Sequence, residues 1–459
     1  MRRAAALAAV LAASVARAAG PAITHGVTVG EVGATGARVW ARCATPGRLV
    51  VARDGAPPVT AAVDASGDQA ATVTLTGLTA ATPHLLRVHC EDARGRSGRV
   101  VVRPFTTAPE ATASQRVRLA WLGDLGGQNV CADRARGYPA LEAVAAERPD
   151  VVVGLGDMIY ADDACLARGR YGNAQRPGPP PATDLDGFRA HWRYNLDDPH
   201  LQRLRGAAAW IAVQDDHDIA DDADAGHPLL ADATRAAADW NPQPADTPWR
   251  SARWGRHLEL FVLDLRSQRA PNTTPPPASM LGAAQRAWLA RAVAASDATW
   301  KVVVSSVPIA VPTGRDGARD GWAGGAFQPE LLSLLGGWKD ARVRNLVWIT
   351  TDIHFATVLR HRPFADDVSF TVLELASGPI TAGIFPRDAL DETTRPERLF
   401  FLGPASPDAV RSFDEAMRWF NFGILDVDAG GRLAAEIIDG TGATRWALAL
   451  EPVCSRCSR

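Results

Sequence analysis

Four short apolar segments of the sequence are each followed closely by an aspartate or a histidine. They span residues 118–122, 151–155, 207–213 and 345–349, and aliphatic residues and Trp make up most of each. Runs of this length are typical of buried strands, whereas the longer pattern at 285–295 is that of an amphipathic helix. Strands that alternate with helices predict an open α/β sheet, and such sheets bind ligands at the carboxyl ends of their strands. The sequence therefore predicts a site at that edge.

The region before these segments has a different pattern. Between residues 23 and 105, short β-branched or alternating runs are separated by Gly and Pro turns, which indicates a β-sandwich. The segment 77–83 and the end of the unit at 105–109 resemble a fibronectin type III module. We therefore predict two domains: a small all-β, fibronectin type III-like sandwich over residues 20–109, and an α/β domain over residues 115–453.

The N-terminus is typical of an export signal. Arg2 and Arg3 precede an apolar run, and the A-x-A pattern of a cleavage site follows at residues 16–18. We predict that residues 1–19 are a signal peptide and that the mature protein is periplasmic or secreted. No later segment is long and apolar enough to span a bilayer, so no transmembrane anchor is expected. The formal net charge of −2 argues against a nucleic-acid-binding surface, which normally carries a basic surplus.

The sequence contains six cysteines, and in an exported protein these favour disulfides over metal-binding thiolates. Six cysteines allow 15 connectivities, so only proximity in the sequence favours one pairing over another. That criterion suggests three pairs: Cys43 with Cys90, Cys131 with Cys165, and Cys454 with Cys457.

Oxygen and imidazole ligands are concentrated where the apolar segments end. Carboxylates suit hard cations such as calcium, while imidazole suits iron, zinc or manganese. Two metal ions roughly 3.5–4 Å apart activate water and clamp the oxygens of an in-line displacement at phosphorus. Each residue alone has a structural explanation, because aspartates after strands commonly cap turns and single histidines commonly pack in cores. In combination they predict a metal site formed by Asp124, by Asp157 with Tyr160, by residues 215–218, and by Asp352 with His354.

Four motifs carry a family resemblance: Gly-Asp-Met-Ile-Tyr at 156–160, Gln-Asp-Asp-His-Asp at 214–218, Leu-Asp-Leu-Arg-Ser at 263–267 and Thr-Asp-Ile-His-Phe-Ala at 351–356. With them the chain resembles the PhoD-like alkaline phosphatases of the calcineurin-like metallophosphoesterase superfamily, with features of purple acid phosphatases. The resemblance covers nearly the whole mature chain. It implies a hydrolase acting on phosphate esters, with an α/β metallophosphatase fold in which helices flank a central β-sandwich.

The resemblance also implies a role for each ligand. Asp157 would bridge two metal ions, and Tyr160 would be a phenolate ligand to ferric iron (Fe3+). A phenol with a pKa near 10 needs a strong Lewis acid to stay deprotonated at neutral pH. His354 would complete the iron site, while Asp216 and Asp352 would hold a second, divalent cation such as calcium (Ca2+).

The resemblance also bears on His217, Asp124, Asp221 and Asp222. His217 would lie next to the leaving group as general acid or transition-state stabiliser. The family's usual first-strand ligand is a cysteine, whereas this chain has Asp124, the residue type that purple acid phosphatases use there. The metal role of Asp124 is therefore expected without a thiolate. Asp221 and Asp222 stand where the family often has Asn, and whether either is a ligand stays open.

Substrate binding and the reaction are the last expectations. Arg193, Asn195 and Arg266 offer donors that complement a phosphate ester, although surface ion pairs explain the arginines equally well. The predicted reaction is hydrolysis of a small phosphate mono- or diester by a metal-bound hydroxide, catalysed by a monomer. Two alternatives stay open: a purple-acid-phosphatase-like phosphomonoesterase with an acidic optimum, and a non-catalytic surface protein that binds through its β-domain.

Overall fold

The N-terminal part of the chain forms a β-sandwich, as its short alternating runs predict. The computed structural model describes residues 20–244, 248–314 and 320–453. The first strands are β1 (Ile23–Gly30), β2 (Ala37–Cys43), β3 (Gly47–Arg53), β4 (Val59–Val63), β5 (Ala70–Leu75), β6 (Pro83–Asp92) and β7 (Val101–Thr106). One layer has the order β1-β2-β5 and the other β4-β3-β6-β7. The predicted disulfide between Cys43 and Cys90 is confirmed and joins the two layers.

The strands of the α/β region extend the β1-β2-β5 layer and add one further sheet. They are β8 (Val117–Leu122), β9 (Val151–Leu155), β10 (Ala209–Val213), β11 (Arg250–Trp254), β12 (Leu258–Val262), β13 (Trp300–Val304), β14 (Leu346–Thr350), β15 (Ala356–His361), β16 (Val372–Ala376), β17 (Pro396–Leu402), β18 (Asn421–Val427), β19 (Leu433–Asp439) and β20 (Thr444–Leu450). One sheet has the order β20-β19-β18-β8-β9-β10-β1-β2-β5, and the other β11-β12-β13-β14-β16-β15-β17. Aliphatic side chains of both form one buried cluster, so the sheets pack face to face.

Helices cover the outer faces of this central sandwich. They are α1 (Ala140–Ala146), α2 (Leu185–Leu196), α3 (Pro199–Arg205), α4 (Leu230–Trp240), α5 (Gly282–Ala295), α6 (Gln328–Asp340) and α7 (Phe413–Ala416). Buried residues of α1 to α4 and of α7 cluster with the outward side chains of β8, β9 and β10, while α5 and α6 pack on β12, β13 and β14. The predicted architecture, a β-sandwich core flanked by helices, is confirmed.

Local capping signals explain where α2 and α3 begin. The carboxylate of Asp184 accepts a hydrogen bond from the backbone amide of Gly187, which caps α2. Asp198 accepts from the amides of His200 and Leu201, and a proline occupies the first position of α3. The apolar pattern of the sequence predicts neither helix, although both caps can be read in the sequence.

The strands that precede the candidate ligands run parallel to one another. β8, β9 and β10 are parallel neighbours in one sheet, and β12, β13 and β14 are parallel neighbours in the other. Since parallel neighbours end at the same edge, the loops that follow these strands lie together at one end of the molecule. This is the edge at which the sequence predicts a site.

The N-terminal sandwich and the α/β region share one continuous sheet. β1 runs parallel to β10, where Gly30 pairs with Trp210. Next to this pair, Arg205 is buried, donates to the Thr28 hydroxyl and lies over the rings of Trp40 and Trp210. The division into two domains near residues 109–115 stays a prediction. The contacts between the two regions, such as those of Arg205, are buried like contacts inside one domain.

Two predicted features lie outside the residues that the structure describes. Residues 1–19, the expected signal peptide, lie outside the described part of the chain, and so do Cys454 and Cys457. Among the described helices, none has the length and apolar character needed to cross a membrane.

We predict that the two regions unfold as one cooperative unit, because β1 and β10 share a sheet. The paired change Cys43→Ser and Cys90→Ser should lower the temperature of a single calorimetric transition, with a cost of about 2–4 kcal/mol in the free energy of unfolding. Two separate calorimetric transitions, of which only the one for the N-terminal sandwich shifts to lower temperature in the variant, would contradict this.

Candidate metal centre

Four of the predicted ligands adopt a backbone conformation that L-residues rarely occupy. The φ angles are 57° at Asp124, 50° at Asp157, 76° at Asp352 and 61° at His354. A left-handed conformation costs a non-glycine residue on the order of 1–2 kcal/mol, and such residues concentrate at functional sites. All four follow the carboxyl end of β8, β9 or β14. The left-handed turns at these ends bring the four side chains close to one another.

The turn that carries Asp157 is held by another aspartate. The carboxylate of Asp218 accepts hydrogen bonds from the backbone amides of Asp157 at 3.0 Å, Ile159 at 3.1 Å and Asp215 at 2.9 Å. Asp218 thereby fixes the loop after β9 against the loop after β10. Its part in the 215–218 motif is to position the backbone, which the sequence alone did not distinguish from metal binding.

Asp124, Tyr160 and His354 form one donor group. The Tyr160 hydroxyl lies 3.4 Å from Asp124 Oδ1 and 3.3 Å from His354 Nε2, and the last two atoms are 3.7 Å apart. His354 Nδ1 donates to the carbonyl of Gly383 at 2.6 Å. That hydrogen bond leaves the Nε2 lone pair facing the group, the orientation of a histidine that binds a metal.

Aspartates form a second, adjoining donor group. Ligand atoms of Asp215, Asp216 and Asp352 lie within 4.8 Å of one another, as do those of Asp157, Asp216 and His217. Asp157 Oδ2, Asp215 Oδ2, Asp216 Oδ1 and Asp352 Oδ2 are buried oxygens without a hydrogen-bond donor among the described residues.

Burial and mutual repulsion make this second group costly without a cation. Both effects raise the pKa of Asp157 and that of Asp352 well above the usual carboxyl range. Buried carboxylate oxygens that lack donors fit hard cations, which take several oxygen ligands at once. The donor set therefore fits metal ions at this edge of the sheets.

The two aspartates that the sequence left open lie beside this group. Asp221 and Asp222 bring ligand atoms within 4.8 Å of one another and of Asp216. The amide of Asp222 also donates to Asp216 Oδ2 at 2.8 Å, which orders the turn that holds all three. They form the outer acidic edge of the centre.

His217 contacts a partner that the sequence did not indicate. Its Nδ1 lies 2.9 Å from Asp162 Oδ1, and its ring packs against Tyr160 with centroids 4.4 Å apart. Burial alone would lower the pKa of His217, but the carboxylates of Asp216 and Asp162 outweigh it and raise that pKa to about 10. Asp162 follows the 156–160 motif in the same loop, which was the only available signal.

The structure places Arg266 behind the carboxylates. Its side chain is 1% exposed. Its Nε donates to Asp215 Oδ1 at 2.6 Å, its Nη2 lies 3.3 Å from Asp216, and its Nη1 pairs with Asp320. Arg266 therefore neutralises and orients aspartates of the centre, and these ion pairs occupy the donors that a substrate contact would need.

The other two predicted substrate residues lie away from the donor groups. Arg193 forms an ion pair with Asp68 of the N-terminal sandwich. The amide of Asn195 is buried, donates to the carbonyls of Leu125 and Met158, and accepts from the Tyr138 hydroxyl. Both residues hold neighbouring segments together.

A disulfide joins the two loops that carry the first donor group. Cys131 follows Asp124 in the loop after β8, and Cys165 follows Tyr160 in the loop after β9. They are bonded, with a Cα–Cα distance of 5.8 Å. The pairing suggested by sequence proximity is thus confirmed, and it ties together Asp124, Tyr160 and the turn between them.

An open cavity of about 300 Å³ lies over the centre. Carboxylates and histidines of both donor groups form its floor, Asp221, Asp222 and Asp320 also line it, and a smaller set of apolar residues completes it. Its lining includes Gln128, Asp216, His217, Val311, Asp352, Ile353, His354, Phe355, Phe385 and Arg387. A cavity of this size is at the small end of those that bind organic ligands.

The sequence matches the family model of the PhoD-like phosphatases over residues 119–430, which is more than half of the chain. The chain belongs to the PhoD-like phosphatase family. The matched segment begins in β8 and ends after β18, so it contains every donor residue described above. This PhoD-like phosphatase is accordingly a hydrolase acting on phosphate ester bonds, and its relatives are metal-dependent.

Two solved structures share the fold of this PhoD-like phosphatase. A structure of PhoD has 18% sequence identity and a TM-score of 0.73, covering 96% of this chain and 94% of that one. The purple acid phosphatase from yellow lupin (Lupinus luteus) seeds has 12% identity and a TM-score of 0.61, covering 94% of this chain and 74% of that one. Among curated protein sequences, none matches this chain. At these identities the two structures support the fold alone.

We predict that the disulfide at the centre serves metal binding. The paired change Cys131→Ser and Cys165→Ser should weaken metal affinity at least tenfold in titration calorimetry, because the loops of Asp124 and Tyr160 lose their link. The pair at Cys43 and Cys90 is the matched control: its removal should lower stability and leave metal affinity unchanged. Equal metal affinities in the two paired variants would contradict a role in metal binding.

We also predict that Arg266 and Arg193 differ in their contribution to stability. Arg266→Met should lower the free energy of unfolding by about 3–5 kcal/mol, because it leaves buried carboxylates unpaired. Arg193→Met removes a partly exposed pair and should cost under about 1 kcal/mol, with little change in phosphatase activity. Chemical denaturation and steady-state kinetics measure both effects. A raised KM with unchanged stability in Arg266→Met would instead indicate a substrate contact.

Proposed function

We propose that this PhoD-like phosphatase is an exported enzyme that hydrolyses phosphate mono- and diesters with two metal ions. The observation that carries the proposal is the pair of adjoining donor groups, one of which contains four buried carboxylate oxygens without donors. The two donor groups adjoin each other and together offer oxygen and nitrogen ligands. Such a pair of groups suits a site for two metal ions better than a site for one.

The first group suits ferric iron. Asp124, Tyr160 and His354 supply a carboxylate, a phenol and an imidazole, a mixed oxygen and nitrogen set. Burial, together with the charges of Asp157 and Asp124, raises the pKa of the Tyr160 hydroxyl well above its usual value. A phenolate at this position would therefore need a strongly charged ion beside it.

The second group suits a harder divalent cation such as calcium. Asp216 and Asp352 offer carboxylate oxygens, and Asp215, to which the resemblance assigns no ligand role, has a buried oxygen close to the same group. Asp157 lies in the same group as Asp216 and follows β9, which lies between the strands before Asp124 and Asp216. Asp157 would therefore be the residue that both metal ions share.

When bound, such ions supply Lewis acidity and a water molecule activated for attack on phosphorus. The protein's own residues do the rest. His217 is held by the Asp162 carboxylate and by a backbone hydrogen bond from its amide to Asp157 Oδ1 at 3.1 Å. From that position its Nε2 donates a proton or a hydrogen bond to the leaving oxygen. Arg266 donates to Asp215 and lies near Asp216, so it orients both carboxylates and offsets part of their negative charge.

Export is supported by the cysteines. Both pairs of the described residues, Cys43 with Cys90 and Cys131 with Cys165, are disulfide-bonded. Disulfides of this kind persist in oxidising compartments, which agrees with the signal peptide predicted for residues 1–19.

One observation favours a second candidate, a purple-acid-phosphatase-like phosphomonoesterase. Asp124 puts a carboxylate, and no thiolate, into the first donor group. An acid-shifted rate profile with negligible hydrolysis of diesters would favour this candidate over the first.

The proposal is tested by metal analysis of the mature protein together with hydrolysis of a chromogenic phosphate monoester and diester. We expect close to two metal ions per chain, one of them iron, and hydrolysis of both esters. Asp157→Asn should lose metal and activity, whereas His217→Gln should keep the metal and lower kcat by about 10²–10⁴-fold. Asp163→Asn, in the same loop, is the matched control and should retain both. Metal content and activity that survive in Asp157→Asn would overturn the proposal.

A further inference from the structure

The cavity over the metal centre is lined mostly by polar residues, Asp221 and Asp222 among them, and a smaller set of apolar side chains forms what we call its wall. The floor is formed by the donor groups, with Asp216, Asp352 and His354 among its lining. Ile353, Phe355 and Phe385 are the larger apolar members of the lining. A phosphate ester bound with its phosphoryl group on the floor would therefore place its alcohol part against these side chains.

Phe385 is a wall residue whose ring contacts a residue of the first donor group. Its ring contacts the His354 ring edge-on, with centroids 5.2 Å apart. The guanidinium of Arg170 lies over the same ring, 4.9 Å from its centroid. A ring fixed in this way offers a preformed surface to a flat apolar group.

Arg387 is an exposed cationic side chain in the lining of this cavity. Among the described residues, Arg387 is the only lysine or arginine that lines the cavity, and it is exposed. Its Nη1 donates to the carbonyl of Pro312 at 2.6 Å, which anchors the side chain across the cavity rim.

The partners of Arg387 differ from those of the arginines beneath it. Arg266 and Arg269 are both paired with Asp320. No carboxylate of the described residues pairs with Arg387, and the neighbouring Asp388 is engaged by Arg398. The guanidinium retains donors beyond the one given to Pro312, in a planar arrangement that suits carboxylate or phosphate oxygens.

We propose that Arg387 is a specificity-determining residue that binds an anionic group on the alcohol part of the substrate. The substrate class is a small phosphate ester whose alcohol part is flat and apolar near phosphorus and negatively charged at its far end. Its size is limited by the cavity of about 300 Å³. This inference rests on the proposed function, because it assumes that the phosphoryl group binds at the donor groups.

Pairs of probe esters of equal shape test the inference. 3- and 4-Carboxyphenyl phosphate carry a negative charge at the far end of a flat ring, and the corresponding carbamoylphenyl phosphates do not. The measured quantity is the ratio of kcat/KM for the carboxy ester to that for its carbamoyl partner. Comparing this ratio between enzyme variants cancels the difference in intrinsic reactivity of the esters.

In Arg387→Gln we expect the ratio to fall by about two- to fivefold for at least one isomer, the size of an exposed charge pair. Arg387→Lys should keep most of the ratio, and higher salt should reduce it in the wild-type enzyme. Arg291→Gln, which removes an exposed arginine of α5 outside the cavity, is the matched control and should leave the ratio unchanged.

The outcomes separate this inference from the proposed function. Wild-type hydrolysis of the carbamoyl esters with the same ratio in Arg387→Gln for both isomers overturns the role of Arg387 and leaves the phosphatase intact. Absence of hydrolysis of all four esters by the metal-loaded wild-type enzyme counts against the proposed function itself. A fall in Arg291→Gln equal to that in Arg387→Gln would assign the effect to net charge and overturn the inference.

Discussion

Repulsion among buried carboxylates is the constraint on which the architecture of this protein depends. Asp157, Asp215, Asp216 and Asp352 lie together where parallel strands of two facing sheets end. Like charges in a buried site raise one another's pKa and favour any arrangement that separates them. They can be held together by cations, by protonation, by compensating donors, or by a backbone that is too well packed to yield. The protein's own residues supply the compensating donors and the well-packed backbone, and the donor groups are suited to bind the cations.

Each element around the centre can be understood as a response to that repulsion. Arg266 brings one positive charge into direct contact with Asp215 and near Asp216. Asp218 holds the strained turn at Asp157 through three backbone amides. A disulfide closes the loops on the other side. The cost of the left-handed residues, on the order of 1–2 kcal/mol each, is carried by this surrounding packing.

The features that could be predicted from the sequence are those encoded locally. The strand before Asp157 and the Asp–Tyr spacing of its loop lie in one short segment, and several such local motifs in combination predicted the fold class and the candidate ligands. Features that depend on partners distant in sequence could not be predicted. Asp162 is recognisable only once His217 lies against it. Arg193 and Asn195 have the chemistry of phosphate contacts, but tertiary structure turns them towards Asp68 and the loop carbonyls.

The pairing of β1 with β10 has a consequence for the order in which the protein can assemble. The nine-stranded sheet needs β1 to meet a strand about 180 residues later in the chain, and β8 lies between β9 and the much later β18. Contacts between such distant segments form late, because the entropy of closing long loops opposes them. The two N-terminal layers joined by Cys43 and Cys90 can become ordered early, whereas the donor groups are complete only when residues from 124 to 354 are in place. Metal capture is therefore expected to be an event of the nearly finished fold, and partly emerged chains would have no site with which to take up an ion.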